Sequence, residues 1–326
     1  MTASRRWLLQ ALSASMMAGL AAPATQASEY PNRPVTLVVP IAPGGGVDAL
    51  ARILAERLRG KLGQSVLVEN RPGAGSVIGA TSVVKSAADG YTLLLLEPAA
   101  IIAKWLNKNV TYDVETDFDP VALVATQPLV LFAHPSVASS TLPELIETCR
   151  QRPKLYSVGT AGVGSPHHLA ALWLNDAAKI DIVHQPYRGA GPALNDLLGG
   201  HIPLIWALPA PVLPYVADGR VKAIAVSTTR RFVLLPQTPT VAEASIPGFD
   251  VEFFYGVAAP AGTPADIKSQ LSKALLEVTR EPGFASQMTG MGIDVAFRNP
   301  DSFRSFVREN NQRFANIVRS TGATGD

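Results

Sequence analysis

The chain has little cysteine, little charge and few aromatic residues. Of its 326 residues only Cys149 is a cysteine, so an internal disulfide is impossible. Charged residues make up 17% of the sequence, aromatic residues 7%, and the formal net charge is +2. The lysines and arginines are scattered, without the basic cluster that marks a nucleic-acid surface. We therefore expect no nucleic-acid partner.

The chain also lacks a long apolar run after its first 28 residues. A membrane span needs roughly 20 predominantly apolar residues. At the start, Arg5 and Arg6 precede an apolar segment over 7–22, followed by small residues, which is the pattern of a cleaved signal peptide. We predict a signal peptide over 1–28, export to the periplasm by the Sec or the twin-arginine route, and no stable membrane insertion after cleavage.

The remaining chain alternates short apolar strands with amphipathic helical stretches. Hydrophobic residues make up 47% of the sequence, enough for a sizeable core. This alternation predicts an α/β fold with mixed sheets flanked by helices. Crossing connections near 128 and 252 divide it into two lobes, with 29–128 and 253–326 in the first and 129–252 in the second. We expect a ligand cleft between the lobes.

Three glycine-rich turns join a strand to a helix and carry the main functional signal. The first turn runs over 40–48, the second over 159–166 and the third over 187–192. Glycines let successive backbone N–H groups face one point, and a helix that starts there adds the positive end of its dipole. Because strand ends of this kind share one rim of an α/β lobe, the turns predict an anion site that suits a carboxylate.

Other functions fit the residues less well. No Lys-Ser or Lys-Thr follows the first glycine turn, which argues against a nucleotide P-loop. The spacing of Gly159, Gly162 and Gly164 reverses the dinucleotide fingerprint, so we expect no cofactor. His167 and His168 are adjacent on a helix and point in different directions, which argues against a metal site. Ser165 lies near His168 without a nucleophile elbow, so we expect no enzyme, and an exported hydrolase is the weaker alternative.

Sequence motifs along the whole mature chain resemble those of the Bug, or TctC-like, periplasmic solute-binding proteins. The motifs lie at 30–35, 39–45, 68–75, 89–94, 186–189, 193–200, 239–244 and 259–264. The resemblance implies a two-lobed periplasmic-binding-protein fold that closes on a small carboxylate. It also implies delivery of that ligand to the inner-membrane subunits of a tripartite tricarboxylate transporter.

The resemblance also implies which residues bind the ligand, largely through backbone groups and ordered water. The matching residues are Pro43, Gly44, Gly45, Gly46 and Asp48 in the first loop, Thr160, Ala161, Gly162, Val163, Gly164 and Ser165 in the second, and Tyr187, Arg188 and Gly189 in the third. Asp48 either contacts the ligand or caps its helix. Arg188 is either a ligand contact or a surface charge.

Two positions depart from the family pattern. Glu97 and Ala99 follow an apolar strand where small polar residues and glycine are usual, and Ala207 stands where an acidic or amide residue is frequent. If these positions face the cleft, the ligand has one carboxylate, an apolar body against Ala207 and Leu208, and an amine or other donor near Glu97. Alternatively, Glu97 faces solvent or pairs with a lysine or arginine.

A protein of this kind works by lobe closure. A ligand that bridges both rims stabilises the closed state, which a membrane partner then recognises. The sequence leaves open whether that partner is a transporter or a sensory receptor. We expect a monomer.

Overall fold

The computed structural model describes residues 30–325, and the folded body runs from Arg33 onward. The predicted signal peptide lies outside the described residues. Two mixed sheets, each flanked by helices, form two lobes. The first sheet has the order β11-β4-β10-β3-β1-β2, with β1 Val35–Val39, β2 Val66–Asn70, β3 Thr92–Leu96, β4 Phe118–Pro128, β10 Glu252–Pro260 and β11 Asp294–Arg298. The second has the order β7-β6-β8-β5-β9, with β5 Val130–Ala133, β6 Ser157–Thr160, β7 Val183–Pro186, β8 Leu204–Ala207 and β9 Lys222–Val226.

The helices pack on the faces of these sheets. They are α1 Gly46–Leu62, α2 Val77–Val84, α3 Pro98–Leu106, α4 Leu142–Gln151, α5 Pro166–Ala178, α6 Ala190–Leu198, α7 Leu213–Ala217, α8 Val241–Ala244, α9 Ala265–Thr279, α10 Pro282–Gly290 and α11 Pro300–Thr321. Several begin or end at strong local signals. The side chain of Thr141 and that of Glu144 form a reciprocal capping box at the start of α4. Gly63 ends α1 in the left-handed region, with φ of 68°.

The core occupies the interior of each lobe. In the first lobe the last four residues of strand β3 are leucines and are buried, because helices cover both faces of this sheet. In the second lobe Leu131 and Trp206 pack on one face of the sheet, while Phe132 and Ile205 pack on the other. Both sheets are therefore covered on two sides, which leaves functional groups to the loops at the strand ends.

Strand direction places those loops opposite each other. In the first sheet β1, β2 and β3 are parallel, and β4 runs the same way because β10 is antiparallel to both β3 and β4. Since β4 ends at Pro128 and β5 begins at Val130, the carboxyl ends of these strands face the second sheet. In the second sheet β6, β7 and β8 are parallel, and Val130 pairs with Ala207 at the end of β8. The loops after β1, β3, β6 and β8 therefore lie on two facing rims. The lobe boundaries near 128 and 252 remain a prediction.

Candidate ligand-binding site

The loop after β1 is held in shape by a buried carboxylate. Asp48 is 4% exposed and accepts hydrogen bonds from Gly44 N (3.0 Å), Arg52 Nε (3.0 Å) and Asn70 Nδ2 (2.9 Å). Asn70 also donates to the carbonyl of Ile41 at 3.2 Å. Burial opposes ionisation of Asp48, but these hydrogen bonds outweigh it and hold its pKa below the ordinary value. Asp48 therefore braces the loop from within its own lobe.

The brace leaves the tip of this loop open. The N-cap of α1 is Gly45, so Asp48 is not the capping residue. Gly44 has a φ of 92°, which glycine adopts without strain. A Cβ added at Gly44, Gly45 or Gly46 would meet no atom within 4 Å. Within residues 30–325 the N–H groups of Gly45, Gly46 and Val47 have no hydrogen-bond partner. Three donors without a partner thus lie at the start of a helix.

Hydrogen bonds of Thr160 hold the loop after β6 in shape. This residue is fully buried, and its Oγ1 lies 2.7 Å from Nε2 of His184 on the neighbouring strand. Gly162 N donates to the same oxygen at 3.4 Å, and Tyr187 N donates to the carbonyl of Thr160 at 3.1 Å. Thr160 is therefore a support for the loop, and its side chain is not available to a ligand.

Ser165 closes this second loop as the N-cap of α5. Its hydroxyl donates to the carbonyl of Gly162 at 2.6 Å and accepts from His168 N at 3.2 Å. Pro166 follows at the first helical position and has no N–H. In the described part of the chain, the N–H groups of Ala161 and Val163 have no hydrogen-bond partner. The second loop, like the first, presents free backbone donors.

The histidines beside this loop are neutral at physiological pH. His168 Nδ1 accepts from Gly164 N at 3.3 Å, and its ring stacks on that of His184 with 4.1 Å between centroids. Burial, together with the charge of His184, lowers the pKa of His168 to about 4. Since the hydroxyl of Ser165 donates to Gly162 and not to His168, this pair does not have the geometry of a nucleophile and its base.

The third predicted segment lies next to the second loop. The hydroxyl of Tyr187 donates to Asp196 Oδ2 at 2.6 Å, and burial together with this carboxylate raises the pKa of Tyr187 to about 12. Gly189 has a φ of 105° and is the N-cap of α6. Arg188 is exposed and, among the described residues, has no ion-pair partner. Its guanidinium is free to reach an anion at this rim.

The structure does not support the predicted role of Glu97. The side chain is 1% exposed and caps α3, accepting from Ser76 Oγ (2.6 Å), Ala99 N (2.9 Å) and Ala100 N (3.3 Å). The prediction of a ligand amine beside Glu97 is wrong, because the carboxylate has no free face toward the cleft. The alternative of an exposed or cation-paired Glu97 is also wrong. Ala99 is half-buried, and its N–H is taken up by this cap.

The prediction of an apolar wall at Ala207 is also wrong. Ala207 is 3% exposed and packs inside the second lobe with Val130, Phe132 and Ile205. Leu208 is partly buried against the opposite face of the same sheet. Because strand β8 continues through Ala207, its side chain points into the core. We therefore place Ala207 outside the candidate site.

Comparison with known proteins identifies the family. The model of the tripartite tricarboxylate transporter family receptor, TctC, matches residues 50–323. The chain belongs to this family. BugT of Bordetella pertussis is 39% identical to the receptor over 311 residues, which cover 94% of each chain. The family predicted from the motifs is thus confirmed.

Solved structures confirm the two-lobed α/β fold. R. palustris Rpa4515 with adipate superposes on the receptor with a TM-score of 0.82 at 32% identity, covering 91% of the receptor and 99% of that chain. MatC from Rhodopseudomonas palustris with bound malate gives a TM-score of 0.79 at 32% identity, covering 89% and 100% of the two chains. The receptor therefore shares its fold with proteins that hold carboxylates.

Two cavities of the receptor lie between its lobes. One, of about 320 Å³, is bounded by Ala74, Ala103 and Leu106 of the first lobe and by Val163 and Gly164 of the second loop. The other has a volume of about 650 Å³ and lies near β11 and β9, the edge strands of the two sheets. Many charged side chains line it. Only the smaller cavity adjoins a glycine-rich loop.

Two further expectations concern metal binding and membrane insertion. Between residues 30 and 325 no three His, Cys, Asp or Glu side chains come together in a way that would hold a metal ion. None of the helices in that range combines the length and the apolar character required to cross a bilayer.

Several supporting residues were missed from the sequence. Asn70, Ser76 and His184 each come from a strand or loop next to the segment they hold. Asn70 lies within the family motif at 68–75, whereas no local motif marks Ser76 or His184. A polar side chain near a strand end is the signal that points to such a role.

Proposed function

We propose that this receptor is an exported solute-binding protein that captures a small carboxylate between its lobes in the periplasm. It then delivers the ligand to the membrane subunits of a tripartite tricarboxylate transporter. The observation that carries the proposal is the pair of facing loops, each of which presents free backbone N–H groups from its own lobe. Membership of the transporter receptor family supports the partner, and relatives that hold adipate and malate support the ligand class.

The donors suit a carboxylate for physical reasons. Gly45, Gly46 and Val47 lie at the start of α1, where the helix dipole favours negative charge. Ala161 and Val163 offer donors from the opposite rim. A carboxylate has two oxygens and about four acceptor positions, so one group accepts hydrogen bonds from both loops.

Such a bridging ligand favours lobe closure. It makes its full set of hydrogen bonds only when both rims are near, so its affinity is higher for the closed state than for the open one. The difference in affinity is the free energy available to close the cleft. Binding needs no covalent chemistry, and the ligand is released unchanged.

The test is ligand-dependent thermal stability of the mature protein after refolding, which removes any carried-over ligand. The panel contains mono-, di- and tricarboxylates, amino acids and aromatic acids. An acid present at about 100 times its Kd adds roughly 2.7 kcal/mol to the free energy of unfolding. A lack of stabilisation by every carboxylate in the panel would contradict the proposal.

A pair of glycine variants locates the binding. Gly46 and Gly60 both lie in α1, and a Cβ at either position meets no atom within 4 Å. Gly46→Leu should fold normally but fill the space before the loop donors, and so abolish the ligand-dependent shift. Gly60→Leu lies on the exposed face and should leave the shift unchanged. Equal behaviour of the two variants would place the ligand elsewhere.

Transport is tested in cells. A strain without this chain should lose uptake of the radiolabelled acid, and the wild-type gene should restore it. Uptake that is unaffected while growth regulation by the acid is lost would instead indicate a sensory role.

A further inference from the structure

The start of α3 is occupied by a carboxylate of the protein itself. Glu97 directs both carboxylate oxygens at this helix end, where Oε2 accepts from Ala99 N and Oε1 from Ala100 N. Pro98, at the first helical position, has no N–H to offer. The dipole and the free donors of this terminus, which would favour an anion, are thus already satisfied inside the protein.

The other two helix starts on the facing rims differ from this one. The N-caps of α1 and α5 are Gly45 and Ser165, which carry no charge, and their loops keep free N–H groups. Of these three strand-to-helix connections, two therefore keep donors for an external carboxylate. The third already holds Glu97, a resident carboxylate.

Strand register places Glu97 beside the first loop. Val38 pairs with Leu94 in adjacent parallel strands, so the loop that follows β1 and Glu97, which follows β3, leave the sheet at the same edge. The loop donors begin shortly after Ile41. The resident carboxylate is therefore on the rim that a ligand held by the first loop must share.

Glu97 also shapes the wall of the smaller interlobe cavity. Ser76, which donates to Glu97 at 2.6 Å, directly follows Ala74 and Gly75, which line that cavity. Ala103 and Leu106 line the same cavity from the first lobe, and Val163 lines it from the second loop. The lining side chains that bound this space are mainly apolar, so it suits an uncharged portion of a ligand.

No cation offsets the resident carboxylate. Its hydrogen-bond partners are a hydroxyl and two amides, and it forms no ion pair within the described residues. Burial raises the pKa of Glu97, and the three hydrogen bonds act in the opposite direction. Burial and the charge of Glu97 together raise the pKa values of Tyr112 and Tyr255.

We propose that Glu97 is a specificity-determining residue that restricts the receptor to ligands with one carboxylate and an uncharged, largely apolar body. It occupies the helix start that a second carboxylate would use and places a like charge nearby. The free carboxylate binds the two glycine-rich loops, while the body extends into the cavity lined by Ala74, Ala103, Leu106 and Val163. This inference rests on the proposed function.

The experiment compares acids of equal length that differ in their second carboxylate. Kd is measured by titration calorimetry at pH 7.5 for hexanoate against adipate, and for butyrate against succinate. In whichever of the two pairs binds more tightly, the wild-type protein should bind the monocarboxylate at least tenfold more tightly than the dicarboxylate. Glu97→Ser keeps a residue able to cap α3 but removes the charge and frees one N–H. It should raise the ratio of dicarboxylate to monocarboxylate affinity at least tenfold.

Two further variants separate specificity from structure. Ser76→Ala removes one hydrogen bond but keeps the resident carboxylate, so it should leave the ratio unchanged even if stability falls. Glu97→Gln keeps the size of the side chain without its charge, and it should raise the ratio even if Glu97→Ser folds poorly. A purely structural role for Glu97 would weaken both acids equally.

The outcomes distinguish this inference from the proposed function. Wild-type protein that binds adipate or succinate as tightly as the matched monocarboxylate overturns the inference and leaves carboxylate binding intact. An unchanged ratio in both Glu97 variants also overturns it. If none of the four acids, nor any carboxylate of the panel, binds the wild-type protein, both proposals fail.

Discussion

The brace under the first loop predicts the effect of replacing Asp48 by its amide. The carboxylate accepts from Gly44, Arg52 and Asn70, so Asp48→Asn must turn an NH₂ group toward at least one of these donors. A hydrogen bond to a charged group contributes about 1.5–3 kcal/mol, and the Arg52 side chain is 54% exposed, which reduces its share. We expect the free energy of unfolding to fall by about 2 kcal/mol.

Ligand binding should weaken in the same variant. A loop that has lost its brace must be ordered again when the ligand binds, and this ordering costs binding free energy. Each increment of about 1.4 kcal/mol in that cost raises Kd tenfold. Urea unfolding without ligand gives the first quantity, and calorimetry with the carboxylate that stabilises the wild type most gives the second.

The matched control is Glu69→Gln on the neighbouring strand β2. Glu69 is 46% exposed at its side chain and pairs with nearby Arg71. Its replacement should change either quantity by less than about 0.5 kcal/mol. If Asp48→Asn is no less stable than this control, the brace is not the function of Asp48. A large rise in Kd with unchanged stability would instead indicate direct ligand contact.

Two further variants test buried positions. Both ring nitrogens of His167 are buried and have no hydrogen-bond partner within residues 30–325, so His167→Leu should stabilise the protein by about 1–3 kcal/mol at pH 7 in thermal or urea unfolding. Burial lowers the pKa of His167 from 6.5 to about 4, so the wild type loses stability as pH falls through this window. The free energy of unfolding of His167→Leu should therefore exceed that of the wild type by about 2 kcal/mol more at pH 5 than at pH 7. A difference that does not change with pH would contradict the argument. A Cβ at Gly256 would lie 2.0 Å from Cζ of buried Phe303, so Gly256→Ala should lower the free energy of unfolding by about 1–3 kcal/mol. Gly60→Ala, on an exposed helix face, should stabilise the protein slightly in the same assay. Equal stability of the two glycine variants would refute the close packing.

Local signals were sufficient for many elements. The local sequence alone predicts a strand over 92–96 and a helix over 166–178, which are the bounds that the structure has. The strand consists of Thr92 and four consecutive leucines after a turn, and the helix starts with Ser165 and Pro166, which favour the N-cap and the first helical position. Both signals act over a few residues, so tertiary contacts do not alter them.

Other elements were missed because their signals were ambiguous. The helix α3 begins with Glu97 and Pro98, a capping acid followed by a favourable proline, yet the sequence left open whether Glu97 faces the cleft or solvent. The helix α10 begins with Pro282 and Gly283, a pair more typical of turns. In both cases tertiary packing stabilises a helix that the local sequence alone leaves undecided.

By itself, the sequence determined the family, the alternation of strands and helices and the glycine-rich turns that leave backbone donors free. These depend on neighbouring residues, because a glycine or a capping serine acts on the few peptide groups around it. Only the tertiary structure decided what each polar side chain near the site does. Asp48 turns inward because Asn70 lies on the next strand, Glu97 is buried because Ser76 reaches it from another loop, and Ala207 packs into the core because of the register of its strand. Those contacts join residues far apart in the chain, and only strand pairing and lobe packing bring them together.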